Sequence, residues 1–564
     1  MNSATLIARA GCSALLCLFL AACASHVLSS AEAQDAAVAD PSSFVEEAEA
    51  ALQRGEYLAA SKAYLRAAMD AQDELLAEQA ARVAYEHRQW SIAAQAAARW
   101  LELNETSEEA RRHAAFVALQ LYQLDEAAEH LGALLETAYI NPQAGFLALL
   151  PQLAEELPEA AVTSVLQKLV AKYPDLAEAH YALAQSALQS DNFALALEHA
   201  QKARELGPYW SPAALLLARA QLLTGHGEHA LETVKAVLEN DDRDTHRLEY
   251  ALLLLQLGRE EEGKKELAAL ASGDEVSVLV ERALADLDFR LGNNDAAAKR
   301  YTNLVTSGRF VYESLYYLGA IAESRQNWND ALQLYSRVAG SDFATAAQMR
   351  AARIKIKQEG LEAGLKHMED FGAARPRYRI ESITARAALL AENGEPAAAI
   401  ELLDQAIEQY PDVVDLRYAR VFQLEATDQV NAAIDELRAL LAKRPDDPVA
   451  LNALGYTLVD RTTRYREGYN LIEQALRQTP DSGAVLDSMG WALHRLGRHE
   501  EALEYLEKAR RRISDPEVEE HLGAVLMSLG REDEARTTLM RAIERFPEHD
   551  DLKKRLQELD AKKR

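Results

Sequence analysis

Cysteine is almost absent: the 564 residues hold three, Cys12, Cys17 and Cys23, and none follows. The body of the chain therefore has no thiol for a disulfide, a zinc-thiolate site or a cysteine nucleophile. Glycine and proline are few, at 25 and 15, and aromatics make up 7%. With abundant alanine and 27% charged residues, that scarcity fits a nearly all-helical chain packed through small side chains. No run reads as a strand. Basic residues are outnumbered, 61 against 89 acidic, for a formal charge of −28. Such a surface repels nucleic acid and anionic headgroups, and serves either solubility or basic partners. No phosphate-binding glycine loop or nucleophile elbow occurs. His226 and His229 flank a turn and read as solvated, and Asp241, Asp242 and Asp244 lack the glycine and distal glutamate of a calcium loop. No catalytic residue, metal site or cofactor is expected.

What is present is a long-range register. Gly55, Gln89, Gln123, Leu157, Asp191 and Gly225 stand 34 apart; Gly258 follows after 33, then Gly292, Gln326, Gly360, Gly394 and Asp428 at 34 again. Five residues beyond most of these turns stands a small residue, among them Ala60, Ala94, Ala128, Ala196, Gly263, Ala399 and Ala502. Two units depart, those with Val162 and Leu365 at that place, and one residue is inserted near Arg461 to Gly468, so local irregularity is expected there. In the unit from Asp481 to Ala509, Leu486, Met489, Gly490 and Leu493 recur at helical spacing, Gly497 breaks the helix, and Ala502, Leu506 and Ala509 resume it. That is a helical hairpin. Pro411, Pro445, Pro480 and Pro547 end second helices, because proline lacks the N–H.

This pattern resembles the tetratricopeptide repeat over roughly Pro41 to Pro547, about 15 units. The resemblance implies an all-α superhelical solenoid, residues 41–547, closed by a capping helix in 548–564. It also implies a concave groove lined by the first helix of each hairpin. The corresponding positions are Tyr418, Phe422 and Glu425, then Asn452, Tyr456 and Val459, then Asp487, Trp491 and His494. An aromatic recurs at one position in three successive units. Facing inward, Phe422, Tyr456 and Trp491 make an amphipathic stripe for an extended peptide or partner helix; one residue out of register, they pack between helices. Upstream, Arg350, Ile354 and Lys357 hold equivalent positions. Between Arg350 and Arg379 eight basic residues face four acidic ones, so Arg350, Arg353 and Lys357 read either as an exposed helix face or as a docking patch for an acidic partner.

The first 23 residues carry a separate message. Arg9 precedes an apolar stretch from Ser13 to Leu20, too short to span a bilayer comfortably, and Leu20-Ala21-Ala22-Cys23 puts small residues before a cysteine. This resembles a bacterial lipoprotein signal, residues 1–22, with Cys23 as the lipidated residue; an ordinary secretory signal cut near Ala22 and an uncleaved anchor are the alternatives. Acyl chains contribute about 0.8 kcal/mol per buried methylene, enough together for firm anchoring. Residues 24–40 are rich in Ala, Ser and acid and read as a flexible tether. Ala24 and Ser25 replace the aspartate that similar lipoproteins use for inner-membrane retention, so the outer membrane facing the periplasm is expected.

The runs Leu454-Gly455-Tyr456-Thr457-Leu458 and Asp487-Ser488-Met489-Gly490-Trp491, behind such a signal, are similar to those of the large tetratricopeptide outer-membrane lipoproteins of Gram-negative bacteria. Among these is an adaptor of a carboxyl-terminal processing protease. The resemblance implies a non-catalytic scaffold that binds a periplasmic PDZ-containing serine protease and brings it cell-wall hydrolases. The alternative within the same family is a scaffold in outer-membrane assembly or polysaccharide export.

Overall fold

The computed structural model describes residues 41–562 apart from 156 and 271–275; the expected signal, Cys23 and the tether lie outside the described residues. Thirty-one α-helices and one 3-10 turn, and no strand, are found among those described. They pair into fifteen hairpins. The first three are α1 Pro41–Arg54 with α2 Tyr57–Asp70, α3 Glu74–Glu86 with α4 Trp90–Leu103, and α5 Glu108–Gln120 with α6 Leu124–Thr137. Next come α7 Pro142–Leu153 with α8 Glu159–Lys172, α9 Ala177–Gln189 with α10 Phe193–Leu206, and α11 Ser211–Leu223 with α12 Gly227–Asn240. The middle is α13 Asp244–Gln256 with α14 Glu260–Leu270, α15 Val276–Arg290 with α16 Asn294–Thr306, α17 Val311–Ser324 with α18 Trp328–Ser336, and α19 Ala344–Glu359 with α20 Leu361–Ala374. The last five are α21 Arg379–Glu392 with α22 Pro396–Gln409, α23 Val414–Ala426 with α24 Val430–Lys443, α25 Pro448–Arg461 with α26 Tyr465–Gln478, α27 Gly483–Arg495 with α28 His499–Arg512, and α29 Pro516–Ser528 with α30 Glu532–Arg545. A final helix, α31 Asp550–Lys562, buries Leu552 and Leu559 against the last hairpin and caps the stack.

The period is visible because each hairpin solves the same packing problem. Ala60, Ala196, Ala230, Ala297, Ala399, Ala433, Ala502 and Ala535 are completely buried where the second helix crosses the first. Helices α22, α24, α26 and α30 each end two residues before Pro411, Pro445, Pro480 and Pro547, since a proline lacks the N–H that would continue the helix. The crossing of α25 on α26 is close. A Cβ at Gly455 would stand 2.6 Å from Ile472 Cγ1 and 2.9 Å from the Gly468 carbonyl oxygen. This is the unit with the inserted residue: its loop has no left-handed residue, and Thr462 is extended.

Three local expectations shift by a residue. The left-handed turn residues of the second and third units are Arg88 and Tyr122, with Ala93 and Ala127 at the crossing, whereas the 34-residue extrapolation from Gly55 gave Gln89, Gln123, Ala94 and Ala128. The first interval is in fact 33, and Gln89 and Gln123 become the residues that precede their helices. In the second of the two units read as lacking a small residue, Gly360 alone joins α19 to α20, and the shortened turn brings Gly364 to the crossing in place of Leu365.

The superhelix returns upon itself. Turns of the first six units, the first arm, touch the connections between the last units, the second arm. Gln89 donates to the Gln409 carbonyl at 2.8 Å and Gln409 donates to the Gly55 carbonyl at 2.7 Å. Arg88 donates to the Arg377 carbonyl and to Glu381, and the Ser91 N–H to Asp412. Arg444 lies over the Tyr122 ring and donates to the Gln120 carbonyl. The Asp481 N–H donates to the Asp191 carbonyl, the Phe193 N–H returns to the Asp481 carboxylate, and Arg512 reaches the Leu223 carbonyl. These contacts are polar, with Tyr57 stacked on Tyr410 among the few apolar ones. Arg88, Tyr122 and Asp191 accept left-handed backbone, strained by about 1 kcal/mol for a residue with a side chain, at the places where the arms meet.

Candidate functional site

A groove runs along the first helices of the last four units, α23, α25, α27 and α29. Side chains four apart on one helix share a face, so Tyr418 with Phe422 and Asn452 with Tyr456 line up on adjacent helices. Three connected hollows follow this face. One of about 610 Å3 lies between the arms, one of about 540 Å3 passes over Phe422 and Tyr456, and one of about 300 Å3 ends beside Trp491 and α31. The first two share Tyr418, Val449 and Asn452; the last two share Tyr456, Asp460 and Glu517.

The three aromatics of the expected stripe have three different environments. Phe422 is 66% exposed beside Val449, which is 58% exposed, making an apolar lip at the groove mouth. Tyr456 is half-buried and donates to Glu517 two units away. Trp491 is only 7% exposed: it stacks on His521 at 4.2 Å and on His494 at 5.0 Å, and its indole N–H donates to Asp460 at 3.1 Å. Trp491 is thus a packing residue at the groove's end. Asp487 lies on the groove floor but is buried, 3.0 Å from His521 Nδ1. His494 does not line the groove; its Nδ1 is 3.1 Å from that of His499, and burial with the neighbouring His499 and His521 lowers it to about 4. Val459 is wholly buried, and the adjacent Asp460 takes the groove position instead.

The groove floor is acidic: Asp487 has His521 and Asp460 has Arg495 as positive partners, whereas Glu425 and Glu517 are hydrogen-bonded by hydroxyls. Glu425 accepts from the Thr457 hydroxyl at 2.6 Å and Glu517 from Tyr456, both neutral donors. Burial raises both carboxyls above the usual range. Burial likewise raises the Tyr418 and Tyr456 hydroxyls, with Asp447 adding to the first and Glu517 to the second. Tyr418 donates to Asp447 at 3.3 Å. An apolar lip over an acidic floor suits an extended segment that carries both apolar and cationic side chains.

The basic stretch is differently arranged. Arg350 pairs with Glu323 at 2.8 Å and Arg353 with Glu392 at 2.6 Å, while Lys357 sits 5.3 Å over Trp328 and Ile354 is buried. Arg379 stands over Tyr57, and the Arg377 carbonyl accepts from Arg88. These side chains bridge neighbouring helices, and part of the stretch forms the seam between arms. Among the described residues, no group of three or more His, Cys, Asp or Glu is placed to hold a metal, and no helix is long and apolar enough to cross a membrane.

Sequence profiles described as tetratricopeptide repeat match residues 152–209, 282–346 and 453–518, with further ones at 390–455 and 520–549. The TPR repeat-containing protein PA4667 of Pseudomonas aeruginosa is 36% identical over 209 residues, 37% of this chain and 35% of that protein. The match thus spans about a third of the length of that relative. Solved structures with similarity include the APC/C hetero-tetramer Cut9–Hcn1, 15% identical over 92% of this chain and 96% of that one, TM-score 0.32. A thermophilic TPR protein of Thermus thermophilus is 22% identical over 32% and 97%, TM-score 0.30.

Proposed function

We propose, from the premise that this chain belongs to the tetratricopeptide-repeat proteins, that it is a protein-binding scaffold whose groove over α23, α25, α27 and α29 holds an extended segment of a partner. Repeats of this kind are typically non-catalytic and bind proteins. The observation that carries the site is Phe422, 66% exposed at the lip of a groove continuous over four units. A large aromatic left in water at a concave surface is the kind of anchor from which binding energy is drawn.

The finer reading is an adaptor held at the outer membrane through lipidated Cys23, facing the periplasm, which brings a PDZ-containing carboxyl-terminal processing protease together with cell-wall hydrolases. Its support is the residue pattern at Leu20 to Cys23 and the family-like runs at Leu454–Leu458 and Asp487–Trp491. Anchoring adds avidity, because partners confined to one compartment meet a surface-held groove at raised effective concentration.

Affinity capture with lipid-free residues 24–564 from periplasmic extract of the source organism, read by mass spectrometry, tests this. A processing protease with cell-wall hydrolases is expected, and Phe422→Glu, which sets a charge among the floor carboxylates, should reduce capture about tenfold or more. Export or assembly components without a protease overturn the adaptor in favour of an assembly scaffold, and capture indifferent to Phe422→Glu overturns the groove.

A further inference from the structure

The 610 Å3 hollow is enclosed by neither arm alone. The first arm supplies Trp90, Tyr122, Glu159 and Asp191 to its wall, and the second supplies Asp415 and Tyr418. Among the described residues, the carboxylates of Glu159 and Asp415 make no hydrogen bond or ion pair. Both side chains are open to the solvent of the hollow, and the protein around them raises both carboxyls; Glu159 is raised further by Asp191, itself raised by desolvation and by Asp481. The two cations in the hollow's wall both draw Asp415 down and are shared with other groups: Arg88 with Glu381 and the Arg377 carbonyl, Arg444 with Asp447, the Gln120 carbonyl and the Tyr122 ring. The wall of the hollow therefore carries five carboxylates, Glu159, Asp191, Asp412, Asp415 and Asp447, against the two guanidinium groups of Arg88 and Arg444, among three aromatic faces.

Carboxylates in excess over cations beside aromatic rings favour a cation. The donors are too dispersed for a metal ion. A volume of about 610 Å3 takes several side chains and not a folded domain. Its opening is fixed by shared walls, for Tyr418, Val449 and Asn452 border both this hollow and the groove over Phe422. A chain seated on Phe422 thus reaches the hollow without crossing protein.

We propose that the inter-arm hollow is a receptor for the lysine or arginine side chains of an extended partner segment entering from the groove, a site that exists only while the two arms are closed on each other. It rests on the groove reading above and adds the chemistry of the partner. The acidic surface, −28 over the chain, steers such a segment towards it.

The test uses lipid-free residues 24–564 and a fluorescein-labelled peptide alternating lysine and leucine, against its glutamate counterpart, titrated by fluorescence anisotropy. The lysine peptide should bind and the glutamate peptide should not. Glu159→Gln and Asp415→Asn, isosteric and from opposite arms, should each weaken binding several-fold and together at least tenfold, with a shallower salt dependence; circular dichroism confirms that both variants fold. Gln409→Ala, which removes the bond to the Gly55 carbonyl across the seam without touching the wall of the hollow, should also weaken it. If Phe422→Ala weakens binding while the two carboxylate variants do not, the segment lies in the groove only: the inter-arm site falls and the groove stands. If the carboxylate variants weaken it and Phe422→Ala does not, the hollow stands and the groove falls. Equal binding of the glutamate peptide overturns the cationic site.

Discussion

Gly455→Val is expected to destabilise the α25–α26 hairpin by about 3 kcal/mol, lowering the melting temperature and exposing the amides of both helices to exchange. The cause is that the added carbon meets backbone. The Gly468 carbonyl at 2.9 Å and the Ile472 nitrogen at 3.1 Å cannot rotate away as a side chain could, so the two helices must separate. The damage should stay near that unit, since each repeat of a solenoid contacts mainly its neighbours. Gly497→Ala is the control. Its Cβ would meet nothing within 4 Å, and only the left-handed φ of 80° opposes it, at about 1 kcal/mol. Equal melting of Gly455→Val and the parent would refute the close crossing.

Asp487→Asn should cost about 3 kcal/mol at acid pH, the size expected when one member of a buried pair is removed. His521, 2% exposed, sits 3.0 Å from Asp487. Burial pushes the imidazole down, but Asp487, with help from Glu520 and Glu517, outweighs it and holds the histidine above its usual value. A group raised on folding contributes stability that is fully present below its unfolded value, about 6.5, and is lost as pH rises through the folded value. The difference between parent and Asp487→Asn should therefore be largest below about pH 6.5 and shrink in alkali. Chemical denaturation across that range reads it, and a difference that grows with pH would mean that the pair is not ionised.

The hairpins were legible in the sequence because their determinants are local and repeated. A small residue at the crossing, a turn five residues before it and a proline after the second helix recur in copy after copy, and the structure places them as the period implies. Arg88 and Tyr122 escaped because counting from Gly55 assumed 34 where the first interval is 33, and because a turn without glycine carries no marker. The groove was half legible. Position alone put Phe422, Tyr456 and Trp491 in one class, yet the third is covered by His521 of the following unit while the first is not. The seam was invisible for a physical reason. Gln409 meets Gly55 across 354 residues, through main-chain carbonyls and amide side chains that have no pattern in sequence. Only the accumulated curvature of the intervening repeats brings them together.

The most direct measurement is photo-crosslinking from the groove lip. Benzoylphenylalanine placed at Phe422, and separately at Tyr209, which is 95% exposed on the connection between α10 and α11, would be irradiated during capture from periplasmic extract. The account predicts covalent capture of the partner from position 422 and not from 209. Partner crosslinked from 209 with none from 422 would place binding elsewhere on the solenoid and contradict it.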